Sequence, residues 1–441
     1  MNRLLLLITF FVGIINLSAQ KFDDYFEDAT LRLDYVFAGD NRSQQIFFHD
    51  SFKTPGWAGR RNHLSENFLR GNGQITVRDV ESKQTIYMYS FSTLFQEWQV
   101  EEEAMRLKKA FENSYVVPFP KKTVEITISL TDTHAKVTSE LTHVVNQQDI
   151  LIHEITKNNY PYTYIQKSGD IQSCVDIAII SEGYSYNEMD KFHTDCQRVV
   201  QALFSHEPFS SMKSKFNVVA VDCPSSDSGP CIPRYGLWTN TSVNTHYDTF
   251  YTDRYLMTSD IWRVFDVLNG IPFEQIIVMV NSSEYGGGGI YNQINVVTSD
   301  HFTFKEVLVH EFGHGYGGLG DEYDYGDQVE TMYPSDTEPW EPNLTTLVDF
   351  NSKWADLVPE GTPIPTPIRK FSGNHILPPQ TLQKQLTQKV GVFEGGGYQS
   401  KGVYRPAQEC RMKVNEVDDF CLVCSRHLIN LTNFYTDSQK Y

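Results

Sequence analysis

Residues 303–323 read TFKEVLVHEFGHGYGGLGDEY. Thr303 and Glu306 have the spacing of a capping box, which starts a helix. Phe304, Val307 and Leu308 then supply an apolar face at helical period. On such a helix His310 and His314 lie about 40° apart in rotation and about 6 Å apart along the axis. Both imidazoles leave from one side and can reach one ion, and two neutral nitrogens at that separation suit tetrahedral zinc. Glu311 is turned about 100° from His310, beside the open position of such an ion. There it can take the proton of an activated water and later pass it to a leaving amine. Gly317, Gly318 and Gly320 end the helix and let the chain turn back. That turn brings Asp321 and Glu322 within reach as a third ligand. The plainer reading is a core helix with two hydrogen-bonded histidines and a solvated acidic turn, but the helix start, the HExxH spacing and the glycine turn together favour the metal.

Working outward, the chain before this helix alternates strands and helices. Val175–Ile180 (VDIAII), Phe216–Val221 (FNVVAV) and Gln275–Val280 (QIIVMV) are short, nearly continuous apolar runs, as expected of strands buried on both faces. Asn187–Phe204 and Ser259–Leu268 read as helices between them. This pattern predicts an α/β layered domain. Residues 343–390 are rich in Pro, Thr and Gln and read as loops wrapped on that domain.

The first part differs. Thr30–Phe37, Gln74–Asp79, Thr85–Phe91, Thr123–Leu130, His134–Thr138 and Ile150–Ile155 show strand character, several with period-2 alternation and turn residues between them. They predict a β-sandwich, with Glu101–Phe111 as a helical interruption. The fold class expected is therefore α+β and multidomain: a signal peptide over 1–19, an N-terminal β-rich sandwich over 20–157, and a catalytic α/β domain over 158–441.

Arg3 followed by a short apolar run and then Ser18-Ala19 has the form of a secretory signal. The run is shorter than the about 20 residues a membrane span needs, so cleavage, export and no membrane insertion are expected. Removing 1–19 takes away only Arg3 and changes the net charge from −18 to −19. An acidic chain of this kind lacks the basic face that a nucleic acid or an anionic membrane requires.

HEFGHGYGGLGDEY resembles the signature of the IgA peptidase family, M64, of zinc metallopeptidases. Gly402–Met412 (GVYRPAQECRM) and Phe420–Cys424 (FCLVC) also resemble that family. A β-rich domain before an α/β catalytic domain is similar to its bacterial members. The resemblance implies a zincin-type, metzincin-like catalytic domain, Zn2+ as cofactor, His310, His314 and Asp321 as metal ligands and Glu311 as the catalytic acid/base. In the metzincin pattern HExxHxxGxxH the third ligand falls where this chain has Gly320, which offers no side chain. Asp321 is one residue later, with Glu322 the alternative. The substrate expected is a protein or peptide. Immunoglobulin A, which names the family, need not be the substrate of this chain.

Other residues carry weaker signals. Met412 resembles the methionine that floors the zinc site in metzincins. Tyr404 is a candidate oxyanion donor. Asp324 and Asp327 add acidic charge after the helix. Ser283–Val297 (SEYGGGGIYNQINVV) reads as a flexible loop entering an edge strand on which a peptide can dock, or as a structural bend. Cys223 and Cys231 bracket a loop that a disulfide can close, and Cys410, Cys421, Cys424 and His427 have ligand types suited to structural zinc or to a disulfide. The function expected is that of an exported zinc metallopeptidase. The alternatives are a zinc hydrolase of a non-peptide amide or glycoprotein linkage, and a non-catalytic exported binding module with a structural zinc.

Overall fold

In the computed structural model, residues 20–326, 332–369 and 380–437 are described. The expected signal at 1–19 and Asp327 lie outside the described residues. Alternating side chains in the first part build two four-stranded sheets. One has the order β5-β1-β2-β8, from β1 (Phe26–Gly39), β2 (Gln44–Pro55), β5 (Lys109–Pro120) and β8 (His153–Glu154). The other has the order β4-β3-β6-β7, from β3 (Gly73–Asp79), β4 (Thr85–Phe91), β6 (Val124–Thr131) and β7 (Val137–Val145). In β6 burial alternates residue by residue, the signature of one face on a core and one toward solvent. Aromatic rings from the two sheets meet between them, as in the stack of Phe91 on Tyr115 with centroids 4.0 Å apart.

The expected helix over 101–111 does not form. A single 3-10 turn spans Glu102–Met105, and Lys109 already begins β5. The run EEEAMRLKKAF has helical propensity, but Phe111 is needed in the sandwich core beside Phe95 and Trp98. Tertiary packing outweighs so weak a local preference. A short helix that the sequence did not announce, Leu94–Trp98, is N-capped by Thr93, whose side chain accepts from the Gln96 N–H.

The second part is organised on a six-stranded sheet, order β13-β14-β12-β10-β11-β9. Its strands are β9 (Tyr162–Gln166), β10 (Val175–Glu182), β11 (Phe216–Val221), β12 (Gln275–Val280), β13 (Gly287–Ile290) and β14 (Ile294–Thr298). The four central strands run parallel and the two edges, β9 and β13, antiparallel. Every residue of β10, β11, β12 and β14 is buried, which is why these strands read as continuous apolar runs rather than alternating ones. Helices Met189–Leu203 and Ile261–Val267 fall within the expected ranges. The hairpin β15 (Phe393–Gly396) with β16 (Gln399–Arg405) and a C-terminal helix, Leu422–Thr436, complete the fold. No helix among the described residues is long and apolar enough to cross a membrane.

The two parts share one hydrophobic core and are tied by polar contacts. Arg32 of β1, buried, donates to both oxygens of Asp34 at 2.8 and 2.7 Å and reaches Asp266 at 2.6 Å. It also donates to the Trp262 carbonyl at 3.1 Å, while the Trp262 indole donates to the Asn113 carbonyl at 3.2 Å and stacks on His49. Burial pushes the Asp34 carboxyl up, and Arg32 works against that shift. Replacing Arg32 with Met strands the Asp34 carboxylate and is expected to cost about 3–5 kcal/mol, read as a lower midpoint in denaturant unfolding of the whole chain. The double replacement Arg32→Met/Asp34→Leu is expected to recover part of that loss.

Candidate metal centre

The helix Phe304–Gly315 packs on β13 and β14 and on the helix Met189–Leu203. Leu308 and Phe312 anchor it, Phe312 meeting Phe209 edge-on and stacking on Tyr316. The capping box expected at its start is not made. Thr303 has no capping hydrogen bond and its hydroxyl instead pairs with the His301 ring at 2.7 Å. Burial of the apolar face holds the helix in place without the cap.

The other face carries His310, Glu311 and His314. Each histidine turns Nδ1 to a backbone carbonyl, His310 to Arg411 at 3.0 Å and His314 to Leu319 at 2.6 Å. A carbonyl only accepts, so Nδ1 carries the proton and Nε2 presents its lone pair. The two Nε2 atoms are 3.1 Å apart. Beyond the helix Gly318 takes a left-handed φ of 59° and the chain reverses. This brings Asp321 Oδ1 to 3.0 Å from His310 Nε2 and 3.3 Å from His314 Nε2. Asp321 Oδ1 is buried and receives no hydrogen bond. Its other oxygen accepts from the Tyr398 hydroxyl.

Three electron-rich atoms this close repel one another unless positive charge sits among them. A proton can supply it: although burial opposes charge, Asp321 draws His314 up to about 10. Despite its own burial, Asp321 is in turn held far below the usual carboxylate range by His314 and His310. A divalent cation can supply it too, since ligands about 2.0–2.2 Å from a tetrahedral ion lie at separations like those observed. The donor set of two imidazoles and one carboxylate therefore fits zinc.

Glu322, the alternative ligand, points the other way. It is fully buried, accepts from Asn343 Nδ2 at 3.0 Å, and lies 3.2 Å from the Cys424 sulfur. Glu311 lies beside the histidines against Gly287 of β13, where an added Cβ would come within 3.0 Å of its carboxylate. Burial pushes the Glu311 carboxyl up and the two histidines oppose that shift. Met412, in a tight turn at 410–413, lies under the helix, its sulfur 2.6 Å from where a Cβ on Gly313 would stand.

Tyr404 is not brought to this centre. It sits on β16 opposite Glu394, with Lys401 also nearby. The tyrosine that does reach the centre, Tyr398, lies in the same hairpin. No local signal separates the two in sequence, because the turn of the hairpin decides which one faces Asp321. Asp324 pairs with the same hairpin, bridging to Tyr398, and its Oδ1 accepts from the Gly326 N–H.

The glycine-rich loop becomes β13, an edge strand lying directly on the helix. A Cβ on Gly289 would meet the Glu311 carbonyl at 2.6 Å, so this position requires glycine for close packing. The outer edge of β13 is partly covered by the chain itself. The Gly287 N–H donates to the Arg254 carbonyl, and the Leu256 N–H to the Gly287 carbonyl, both at 3.3 Å. The same segment carries Tyr255, whose hydroxyl donates to Glu97 of the N-terminal part. Burial pushes Glu97 up to about 7 against that hydrogen bond, and Glu311, His314 and Asp321 all act on it. Glu97 was invisible in sequence: only the packing of the β-rich part against β13 carries it to the centre. The packing is direct, with Tyr291 and Ser92 exchanging hydrogen bonds at 2.9 and 3.0 Å and Asn292 donating to the Ser90 carbonyl at 2.8 Å.

The expected Cys223–Cys231 bridge is absent. Both are free thiols with separate partners, Cys223 on Ser181 and Cys231 on Thr239.

Comparison with known families agrees with the resemblance seen in the sequence. The family described as IgA Peptidase M64 matches residues 163–376 and 380–432, and Peptidase M64 N-terminus matches residues 21–142. No curated protein matches the chain. With both parts matched, the chain belongs to the IgA peptidase M64 family.

Proposed function

We propose that this member of a peptidase family is an exported zinc metallopeptidase, with a β-sandwich over 20–157 supporting a metzincin-like catalytic domain over 158–441. The observation that carries the reading is the convergence of His310 Nε2, His314 Nε2 and Asp321 Oδ1 beside Glu311. In this reading those three residues hold the metal and Met412 floors the helix that presents them. A bound zinc lowers the pKa of water and polarises the scissile carbonyl. Glu311 takes the proton from the attacking water on its carboxylate and returns it to the leaving nitrogen. The Arg411 and Leu319 carbonyls fix the ring orientations, and Tyr398 fixes the carboxylate of Asp321. In this reading the peptide approaches Glu311 beside Arg254, Tyr255 and Glu97, so that the β-rich part contributes to its binding.

Turnover of an unstructured protein such as casein tests this. Glu311→Gln is expected to lower kcat by about 10²–10⁴-fold while zinc content stays that of wild type. Equal rates for the two proteins would overturn the peptidase reading for that substrate. Chelation of the purified chain is expected to abolish turnover, with zinc restoring it. Tyr398→Phe is expected to weaken zinc binding at this centre by about 10–100-fold, measured by competition with a chromogenic chelator.

A further inference from the structure

Directly behind Asp321 a second group of ligand atoms converges. Glu322, Cys410, Cys421 and Cys424 are all buried, and one ligand atom from each lies within 4.8 Å of the others. The Cys410 and Cys424 sulfurs are 3.9 Å apart. That is too long for a disulfide bond of about 2.05 Å. Sulfurs about 2.3 Å from a tetrahedral zinc stand about 3.8 Å apart, which the observed separation matches. Glu322 Oε2 is buried with no hydrogen-bond partner.

Burial opposes charge on the Cys410 and Cys424 thiols, and the surroundings offset part of that cost. Cys421 is the N-cap of the helix Leu422–Thr436 and Cys424 lies in its first turn, where the helix dipole favours negative charge. The Cys421 N–H donates to the Cys410 sulfur at 3.2 Å. Arg405, buried with its Nε unpartnered, acts on both Glu322 and Cys410 and offsets part of their negative charge. His427, which the spacing in the sequence admits as a ligand, is engaged elsewhere, its Nε2 facing the Gly317 carbonyl at 2.7 Å.

We propose that Cys410, Cys421, Cys424 and Glu322 form a second, structural site for a thiolate-preferring divalent cation, zinc. A disulfide between any two of the three cysteines would leave the third thiol unligated and Glu322 Oε2 still buried without a partner. One ion satisfies all four groups. It also joins three elements that build the first centre. Cys410 precedes Arg411, whose carbonyl orients His310, and Met412, which underlies the helix. Glu322 follows Asp321 and its N–H donates to the Met412 carbonyl at 2.8 Å. Cys421 and Cys424 bring in the C-terminal helix. Four protein ligands close the coordination shell, so this site braces and does not catalyse.

Metal content of the full-length chain, by elemental mass spectrometry, tests the proposal independently of peptidase activity. Wild type is expected to hold two zinc per chain, His310→Ala/His314→Ala one, and Cys424→Ser one fewer than wild type. Because a cysteine variant can fail to fold, cobalt is loaded into the His310→Ala/His314→Ala protein as a second measurement. A thiolate-to-cobalt charge-transfer absorption in the near ultraviolet is expected there. A double-histidine variant that folds but binds neither zinc nor cobalt overturns the proposal. So does a disulfide between any two of Cys410, Cys421 and Cys424 in peptides of the non-reduced protein. Failure of the first centre alone reads differently: wild type and the double-histidine variant would then hold the same single zinc.

Discussion

The Nε2 nitrogens of His310 and His314 and one carboxylate oxygen of Asp321 meet within 3.3 Å of one another, largely shielded from water. Such a meeting is unfavourable unless a positive charge is drawn into it, and much of the second part is arranged to hold it together. The helix carrying both histidines is pressed against β13 and β14, so it cannot turn its polar face away. Two backbone carbonyls hold the rings by their far nitrogens. The reversal after the helix carries Asp321 back, and Tyr398 steadies its other oxygen. Each support comes from a different stretch of chain, so the electrostatic tension is borne by the whole fold rather than by the helix alone.

The β-rich part belongs to this arrangement. Its β4 end hydrogen-bonds to the turn between β13 and β14, and Glu97 and Tyr255 meet across the join. Docked there, the first part places a half-buried carboxylate within the field of Glu311, His314 and Asp321. The common hydrophobic core and the Arg32 ion-pair cluster hold the two parts together. The sandwich shares its core with the sheet that carries the helix of the two histidines.

Several features were legible because their physical cause is local or periodic. Parallel strands buried on both faces must be apolar at every position, and β10, β11 and β12 read so. Two histidines one helical turn apart project together whatever surrounds them. Other features depended on partners distant in sequence. The run from Glu101 to Phe111 favours a helix by propensity, yet Phe111 is drawn into β5 by Phe95 and Trp98. Thr303 and Glu306 have the letters of a capping box, but His301 competes for the threonine hydroxyl. The glycines before β14 suggested an edge open to a peptide. In the folded chain they let β13 lie on the helix, while Arg254–Leu256 covers part of the outer edge.

The sequence by itself determined the chemistry on offer: an HExxH helix, a glycine turn with two adjacent carboxylates after it, and a strand–helix alternation able to support them. It could not decide between Asp321 and Glu322, nor between Tyr398 and Tyr404, nor reveal Glu97. Neighbours in sequence can face opposite ways at a tight turn, and groups hundreds of residues apart can meet. Only the tertiary structure shows where these groups lie, with Asp321 turned toward two imidazoles and Glu322 toward three thiols. The physical reason is that a ligand set is a property of where lone pairs converge in space, and backbone reversal and core packing fix that convergence.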